Sequence, residues 1–175
     1  KPDMDALRAI PKAQLSAEEQ AFMDGPVQEL LGMIDDFELS NSKHIPKEVL
    51  DFLGKNRFFS MIIPKKFGGL EFSPYANSTI VATLAAKSGA IAVTVMVPNS
   101  LGPGELLMHY GTKAQQDHYL PRLAVGEDIP CFALTSPEAG SDAGGIPDAA
   151  IVTKGQWNGE EVIGLSVPWD KRYIT

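Results

Sequence analysis

Two stretches of this sequence carry residue types that suit a flat ligand with a polar edge. Residues 131–142 read CFALTSPEAGSD, and residues 169–175 read WDKRYIT. Aromatic side chains pack against planar rings, while hydroxyl and main-chain groups hydrogen-bond the polar edge of such a ring. Tyr173 and Thr175 are two residues apart, so they share one face if this stretch is a strand. Together the two stretches form the leading hypothesis for a functional site.

The first stretch is predicted to begin as a strand and to end as a turn. Phe132 and Leu134 alternate with small or polar neighbours, which is typical of a strand. Pro137 removes an N–H donor and so ends ladder pairing. Gly140 permits a positive φ and close approach of a ligand, and Ser141 adds a hydroxyl and an exposed N–H. A strand and turn of this kind can present donors to phosphate, although an ordinary surface turn gives the same pattern.

The second stretch completes the candidate site. With Phe132 and Thr135 on a neighbouring strand, the two stretches would line a slot that suits an isoalloxazine ring. Aromatic and hydroxyl residues at this spacing are also common in strands that bind nothing, so ordinary strand packing is the alternative.

The rest of the sequence offers little other chemistry. It contains no GxGxxG fingerprint and no Walker P-loop. His44, His109 and His118 lack the spacing of a ligand set, so we expect no metal site. Ser141 has no GxSxG context, which argues against a hydrolase nucleophile. Adjacent carboxylates such as Asp35 and Asp36 are interpreted as solvated faces.

Composition narrows the class of protein. The chain is 44% hydrophobic and 21% charged, which is typical of a globular protein. Its net charge of -7 argues against binding to nucleic acid or to an anionic membrane. The single Cys131 excludes an internal disulfide, and we expect an intracellular, cytoplasmic location. No apolar run reaches the roughly 20 residues of a transmembrane helix. Because the sequence lacks an initiating methionine and ends just after a strand-like run, we expect a fragment of a longer protein.

Hydrophobic periodicity and the positions of glycine and proline predict an α+β chain in three parts: an irregular leader over 1–14, a helical domain over 15–128 and a partial β-domain over 129–175. Two capping boxes, Ser16 with Glu19 and Thr112 with Gln115, mark helix starts. The predicted helical domain has these features: a helix from Ser16 interrupted at Gly25-Pro26, a linker over 41–45, a helix over 46–54, a buried extended run over 58–63, helices over 73–89, 90–97 and 105–110, and a last helix that Pro121 stops. Short strands are predicted over 129–134, 149–153, 161–165 and 171–175.

The stretch at 131–142 also resembles the flavin-binding signature of the acyl-CoA dehydrogenase family, in which a Thr-Glu-Pro-x-Ala-Gly-Ser-Asp run opens the middle β-domain. Here Ser136 replaces the glutamate. The resemblance runs from about Ser16 to Thr175, and the long-chain dehydrogenases of bacterial fatty-acid β-oxidation look most similar. Its further landmarks are FGGL at 67–70, NSLG at 99–102, YGT at 110–112, YLP at 119–121 and the Lys-x-x-Ile-Thr run at 171–175. The span from Asp142 to Tyr173 is longer than is usual in the family.

The resemblance implies a fold and a set of cofactor contacts. The fold is an all-α N-terminal domain followed by the first strands of a β-barrel-like middle domain, with the C-terminal helical domain absent. The cofactor is FAD, and the residues at matching positions are Phe132, Leu134, Thr135, Gly140, Ser141, Tyr173 and Thr175. Leu134 and Thr135 match the groups at the pyrimidine edge of the flavin, and Gly140 and Ser141 match the turn at the pyrophosphate. Tyr173 replaces a tryptophan beside the flavin, and Thr175 matches a threonine whose hydroxyl approaches N5.

The resemblance also implies a substrate site. Ser141 borders the acyl-CoA channel, and Thr94, Val97 and Leu101 fall where a helix lines the acyl end of the pocket. Their mostly apolar character fits a long fatty chain, with ordinary helix core as the alternative for Val97.

The implied reaction is the α,β-dehydrogenation of a fatty acyl-CoA to a trans-2-enoyl-CoA in fatty-acid β-oxidation. The family's general base lies in the C-terminal domain, so no catalytic residue is expected in this chain. The implied partners are the acyl-CoA substrate and an electron-transfer flavoprotein, and the full-length protein is expected to be a homo-oligomer. An acyl-CoA oxidase or monooxygenase of the same fold, and a non-enzymatic helical interaction module, are the alternatives.

Overall fold

A computed structural model of the chain describes residues 3–10, 12–100 and 102–174. The chain divides into two compact units, Lys1–Pro130 and Cys131–Thr175. The first unit is helical. Its α-helices are α1 (Met4–Ala9), α2 (Ala17–Phe22), α3 (Gln28–Met33), α4 (Asp36–Ser42), α5 (Lys47–Lys55), α6 (Pro74–Ala85), α7 (Gly89–Met96), α8 (Pro103–Tyr110) and α9 (Lys113–Val125).

Both predicted capping boxes are confirmed. At the start of α2, the Ser16 N–H donates to Glu19 Oε2 at 2.7 Å, and the Glu19 N–H donates to Ser16 Oγ at 3.2 Å. At the start of α9, the Thr112 N–H donates to Gln115 Oε1 at 2.8 Å, and the Gln115 N–H donates to Thr112 Oγ1 at 3.3 Å. Each box satisfies main-chain donors that have no partner inside the helix.

The predicted interruption at Gly25-Pro26 is a π-helical turn over Met23–Val27, which joins α2 to α3 without a break. Pro26 has no N–H and cannot make a regular helical hydrogen bond, and the wider turn accommodates that loss. The Gln28 side chain donates to the Met23 carbonyl at 3.3 Å and so satisfies an acceptor within the turn. Val27 and Leu30 are fully buried on either side of its end.

The core of the helical unit is a single large cluster with a smaller one beside it. In the large cluster, the centroid of the Phe58 ring lies 4.9 Å from that of Phe22 and 6.2 Å from that of Phe52. The side chains of Leu53, Ile80, Leu84, Ile91 and Val95 are also fully buried. α7 is therefore buried along one side, while Val93 is 37% exposed, although the continuous apolar sequence of this helix predicts burial on all sides.

Four local predictions for this unit are wrong. Residues 4–9 form α1 where an irregular leader was predicted, because the Asp3 side chain accepts from the Asp5 and Ala6 N–H groups and caps the helix. Residues 36–42 form α4, which overlaps the predicted linker. The run at 58–63 is buried but begins with the 3₁₀ turn Phe58–Ser60 rather than a strand.

The fourth error concerns Pro121, which lies inside α9 and does not stop it. The last turns of α9 bury Leu120, Leu123 and Ala124, and this packing outweighs the missing hydrogen bond. The helix ends instead at Gly126, which has a φ of 74°. Only glycine adopts this left-handed conformation without strain, and a Cβ at this position would lie 3.0 Å from Gly54 Cα.

The second unit contains a two-stranded antiparallel hairpin. β1 (Ile151–Trp157) pairs with β2 (Glu160–Ser166) in a register that runs from Ile151 opposite Ser166 to Trp157 opposite Glu160. Asn158 and Gly159 form the connecting turn with φ values of 51° and 85°. Asn-Gly is the preferred pair for a turn that needs positive φ at both residues. The strands predicted over 149–153 and 161–165 are thus present, and each ends later in the sequence than predicted.

The strands predicted over 129–134 and 171–175 are not formed within the described residues. A single main-chain hydrogen bond, from the Arg172 N–H to the Thr135 carbonyl at 2.9 Å, joins these stretches in the part of the chain that is described. One bond is too few for a ladder, and Pro130 and Pro137 each remove a donor from the first stretch. Thr175 lies outside the described residues.

Candidate cofactor site

The structure brings together the two stretches that the sequence singled out. The Arg172 N–H donates to the Thr135 carbonyl at 2.9 Å, and the Lys171 ammonium donates to the Leu134 carbonyl at 3.0 Å. Two successive residues of the second stretch thus contact the carbonyls of two successive residues of the first. The side-by-side arrangement holds although neither stretch is a strand.

Lys171 is the most buried charged residue at this place. Its side chain is 8% exposed and forms an ion pair with Asp148, whose side chain is 20% exposed. The ammonium also lies 5.8 Å from the centroid of the Trp169 ring, within the range of a cation–π interaction. Three separate segments of the second unit therefore meet at this one ammonium group.

The turn at 136–139 is closed by the residue that departs from the family signature. Ser136 is buried, and its N–H donates to the Ala139 carbonyl at 3.0 Å. The Ala139 N–H donates back to Ser136 Oγ at 3.3 Å. A hydroxyl at this position is a turn-former in its own right, so replacement of the signature glutamate by serine leaves a well-defined turn.

Gly140 and Ser141 are both exposed at the end of this turn. A glycine at position 140 permits a positive φ, but the glycines that have one among the described residues are Gly68, Gly126 and Gly159. The reason is that the hydrogen bonds between Ser136 and Ala139 already close the turn before Gly140. The Asp142 side chain accepts from the Gly145 N–H at 3.1 Å and caps the 3₁₀ turn Ala143–Gly145 that follows.

The remaining predicted cofactor residues differ in exposure. Phe132 and Thr135 are half-buried, and Leu134 is 36% exposed. Tyr173 is 86% exposed and has a φ of 55°, a conformation that is uncommon for a residue with a bulky side chain. An exposed aromatic ring and exposed turn donors within one unit suit a large planar group that carries phosphates, so the residues present are compatible with FAD.

Three of the four predicted substrate residues belong to the helical unit, and the fourth, Ser141, belongs to the second unit. The Thr94 hydroxyl donates to the Ala90 carbonyl at 2.9 Å, so its polar group is satisfied by its own helix. Val97 is 3% exposed, which agrees with the alternative of an ordinary core residue. Leu101 lies outside the described residues.

Asn99 is a buried polar residue whose role the sequence did not indicate. Its side-chain amide donates to the Phe58 carbonyl at 2.6 Å and to the Val95 carbonyl at 2.8 Å. Its side-chain oxygen accepts from the Ile62 N–H at 3.3 Å. The residue ties the end of α7 to the segment after α5, and these contacts are too distant in sequence to be seen as a local pattern.

A hollow of about 460 Å³ on the helical unit was also missed by the sequence patterns. Its walls are mostly apolar and come from α8, α9 and the residues just after α9: Pro103, Leu107, Tyr119, Leu123, Asp128, Ile129 and Pro130. Arg122 holds Asp128 at its rim through an Nε–Oδ2 contact of 2.7 Å, and this hydrogen bond lowers the pKa of the Asp128 carboxyl. The volume is within the range of small-molecule sites.

A second hollow of about 440 Å³ has more polar walls, among them Asn77, Ser100, Glu105 and His109. The Asn77 side-chain oxygen is buried without a hydrogen-bond partner.

In the described part of the chain, no group of three or more His, Cys, Asp or Glu side chains is placed to hold a metal ion. The helices that are described include none with the length and apolar character needed to cross a membrane.

Comparison with known proteins relates these features to a family. The family model for the N-terminal domain of acyl-CoA dehydrogenases matches residues 14–127. The caffeyl-CoA reductase-Etf complex subunit CarC of Acetobacterium woodii is 39% identical over 114 residues, which are 65% of this chain and 30% of that protein. The very long-chain specific acyl-CoA dehydrogenase of Rattus norvegicus mitochondria is 30% identical over 128 residues, which are 73% of this chain and 19% of that protein.

Solved structures share the fold over nearly the whole chain. An acyl-CoA dehydrogenase from Geobacillus kaustophilus superposes with a TM-score of 0.75 at 24% identity, over 94% of this chain and 41% of that one. The FAD complex of PigA superposes with a TM-score of 0.72 at 20% identity, over 94% of this chain and 42% of that one. The predicted α+β class is confirmed. This chain spans about a third or less of the length of the curated relatives described here.

Proposed function

The chain belongs to the acyl-CoA dehydrogenase family, and from that premise we propose that it forms part of an enzyme that oxidises fatty acyl-CoA to trans-2-enoyl-CoA. FAD is the cofactor of this family, and it supplies the redox chemistry when bound. The observation that carries the proposal is the pair of contacts from Lys171 and Arg172 to the carbonyls of Leu134 and Thr135. These contacts hold the two stretches that match the family's flavin-binding positions beside each other.

In this proposal the second unit binds and orients the cofactor. Main-chain groups of Leu134 and Thr135 face the pyrimidine edge of the flavin, and Phe132 lies near it. Gly140 and Ser141 bind the pyrophosphate with main-chain and hydroxyl donors. Tyr173 packs on the ring system, and Thr175 contributes its hydroxyl near N5.

The substrate end of the proposal involves the helical unit. Thr94 and Leu101 contribute to the wall around the acyl chain, and Ser141 borders the channel for the CoA thioester. Hydrogen bonds to a thioester carbonyl acidify the neighbouring carbon, which a general base then deprotonates. We assign that base to a part of the enzyme outside this chain, so the 175 residues alone are expected to be inactive and to bind FAD weakly.

We further propose an electron-transfer flavoprotein as the acceptor, a homo-oligomeric enzyme and a cytoplasmic location. The acceptor is supported by the Acetobacterium woodii relative, which is named as a subunit of a reductase-Etf complex. The same relative favours a second candidate function, the reduction of an enoyl-CoA with electrons from such a flavoprotein.

The test is the visible absorption spectrum of the intact protein under anaerobic conditions. The proposal predicts flavin absorbance in the purified protein and its bleaching on addition of a long-chain acyl-CoA. Recovery of the oxidised flavin absorbance in air, with oxygen consumption and peroxide release, would indicate an oxidase instead. A flavin that is reduced only by an electron-transfer flavoprotein, and reoxidised by an enoyl-CoA, would indicate a reductase. A protein without flavin would overturn all three.

A further inference from the structure

We propose that Lys171 and Asp148 form a clamp that positions the flavin-binding main chain at Leu134 and Thr135. The inference rests on the proposed function for the flavin and on the geometry of this chain for the clamp. Lys171 and Asp148 are treated as positioning residues, since their contacts are with the protein rather than with reacting atoms.

The first argument is the burial of a charge where few other forces act. The Lys171 side chain is 8% exposed, yet no hydrophobic side chain of the second unit is buried among its described residues. A buried ammonium is costly unless it is paired and hydrogen-bonded. Here it has both the Asp148 carboxylate and the Leu134 carbonyl. Because no apolar core holds these segments together, the polar contacts of Lys171 must hold them in place.

The second argument is what the clamp holds. The ammonium contacts the carbonyl of Leu134, and the next residue, Arg172, donates its N–H to the carbonyl of Thr135. Both acceptors are main-chain atoms of the segment proposed to face the flavin edge. Fixing those carbonyls fixes the orientation of the peptide groups between them, because a peptide unit is planar and turns as one body.

A matched control exists in the same unit. Lys154 forms an ion pair with Glu161 at 2.8 Å on the hairpin, with side chains 71% and 60% exposed. This pair joins residues of β1 and β2 and touches neither Leu134 nor Thr135. An exposed pair contributes little to stability, so its removal reports the effect of losing a lysine without losing the clamp.

The experiment compares Lys171→Met, Asp148→Asn and the control Lys154→Met in the intact protein. We expect the dissociation constant for FAD to rise about tenfold or more in Lys171→Met, by a smaller factor in Asp148→Asn, and less than about twofold in Lys154→Met. The visible circular dichroism of the bound flavin should change in the first two variants only. A folded Lys171→Met with wild-type affinity and dichroism would overturn the proposal. If Lys171→Met does not fold, the same criteria apply to Asp148→Asn.

A second readout needs no flavin. In FAD-free protein, the Arg172 amide should exchange its hydrogen at least about tenfold faster in Lys171→Met than in the wild type, while the Lys154→Met variant exchanges normally. Unchanged exchange would overturn the clamp. If the wild-type protein binds no FAD, but Lys171→Met still speeds the exchange of the Arg172 amide, the proposed function is overturned and the clamp stands.

Discussion

In the helical unit the side chains of Leu53, Phe58 and Ile80 are fully buried, whereas in the second unit Val152, Trp157 and Ile163 expose 70%, 70% and 76% of their surface. Every buried hydrophobic side chain among the described residues lies between Phe22 and Ala124. The first unit thus encloses its own core. The second is ordered by a hairpin ladder and by a few polar contacts, among them those of the buried Ser136 and of the Lys171 clamp.

The difference shows that sequence hydrophobicity alone does not locate a core. β1 and β2 have the Val and Ile content of buried strands, yet both of their faces are largely exposed. A two-stranded sheet is at best marginally stable in water until another surface covers it. The two units should therefore respond in opposite ways to the loss of an apolar side chain.

The largest effect is expected from Phe58→Ala. This ring is fully buried against Phe22 and Phe52, so its removal leaves a cavity and should lower the free energy of unfolding by about 3–5 kcal/mol. Urea unfolding followed by helical circular dichroism measures the change. Phe37, which is 80% exposed, provides the control, since Phe37→Ala should change stability by less than about 0.5 kcal/mol. Equal effects at the two sites would contradict the assigned core.

The next effect concerns a polar contact in the same unit. Glu19 is buried and accepts from the Ser16 N–H and the Ser73 N–H, each at 2.7 Å, so one carboxylate joins the starts of α2 and α6. Glu19→Ala should cost about 2–3 kcal/mol because both donors lose a charged acceptor. Thermal unfolding would test this against Glu18→Ala, which removes only an exposed ion pair with Lys65 and should cost about 0.5 kcal/mol or less.

Acid should weaken the helical unit through the same residue. The main-chain hydrogen bonds from Ser16 and Ser73 lower the pKa of Glu19 from 4.5 to about 2. A depressed pKa contributes stability above the ordinary value, and this contribution is lost as the pH falls toward the folded-state pKa. The stability gap between wild type and Glu19→Gln should therefore narrow between about pH 5 and pH 2. A gap that stays constant over this range in urea titrations would show that the carboxylate is not the titrating group.

The smallest effect is expected on the hairpin. Ile163 is 76% exposed and pairs across the strands with Lys154. Ile163→Thr keeps a β-branched side chain and should change the unfolding of the helical unit by less than about 0.5 kcal/mol. It should lower self-association in light scattering, because exposed apolar strands promote edge pairing. A shift of several degrees in the helical melting temperature would contradict the assignment of Ile163 to an exposed face of the hairpin.

Local patterns predicted the parts of the fold that depend on neighbours in sequence. The Ser16 and Thr112 capping boxes were found because each closes within three residues. Asp35 is exposed, in agreement with its interpretation as a solvated carboxylate, and its side chain also accepts from the Glu38 N–H and starts α4. The Asn-Gly pair at 158–159 is a turn signal in the sequence that marks the connection between β1 and β2.

Contacts between distant residues were beyond the reach of such patterns. The hydrogen bond from Ser73 to Glu19 spans 54 residues, and the one from Lys171 to Leu134 spans 37. Residue types suggested that the two stretches lie beside each other, and the contacts of Lys171 and Arg172 confirm this, but neither those residue types nor the family resemblance indicated Asp148 as the counter-ion. Pro121 misled the prediction because the burial of Leu123 and Ala124 overrides a local helix breaker.

The π turn at Met23–Val27 also bears on which changes of length this chain can tolerate. A π turn holds one residue more than the regular turn it replaces and rotates less per residue, so the helix on either side keeps nearly the orientation of a regular helix. Deleting Gly25 should therefore leave Leu30 on the buried face, at the cost of placing Pro26 in a regular helix. Deleting a residue from the regular part of α3 would instead rotate everything after it by about 100° around the axis.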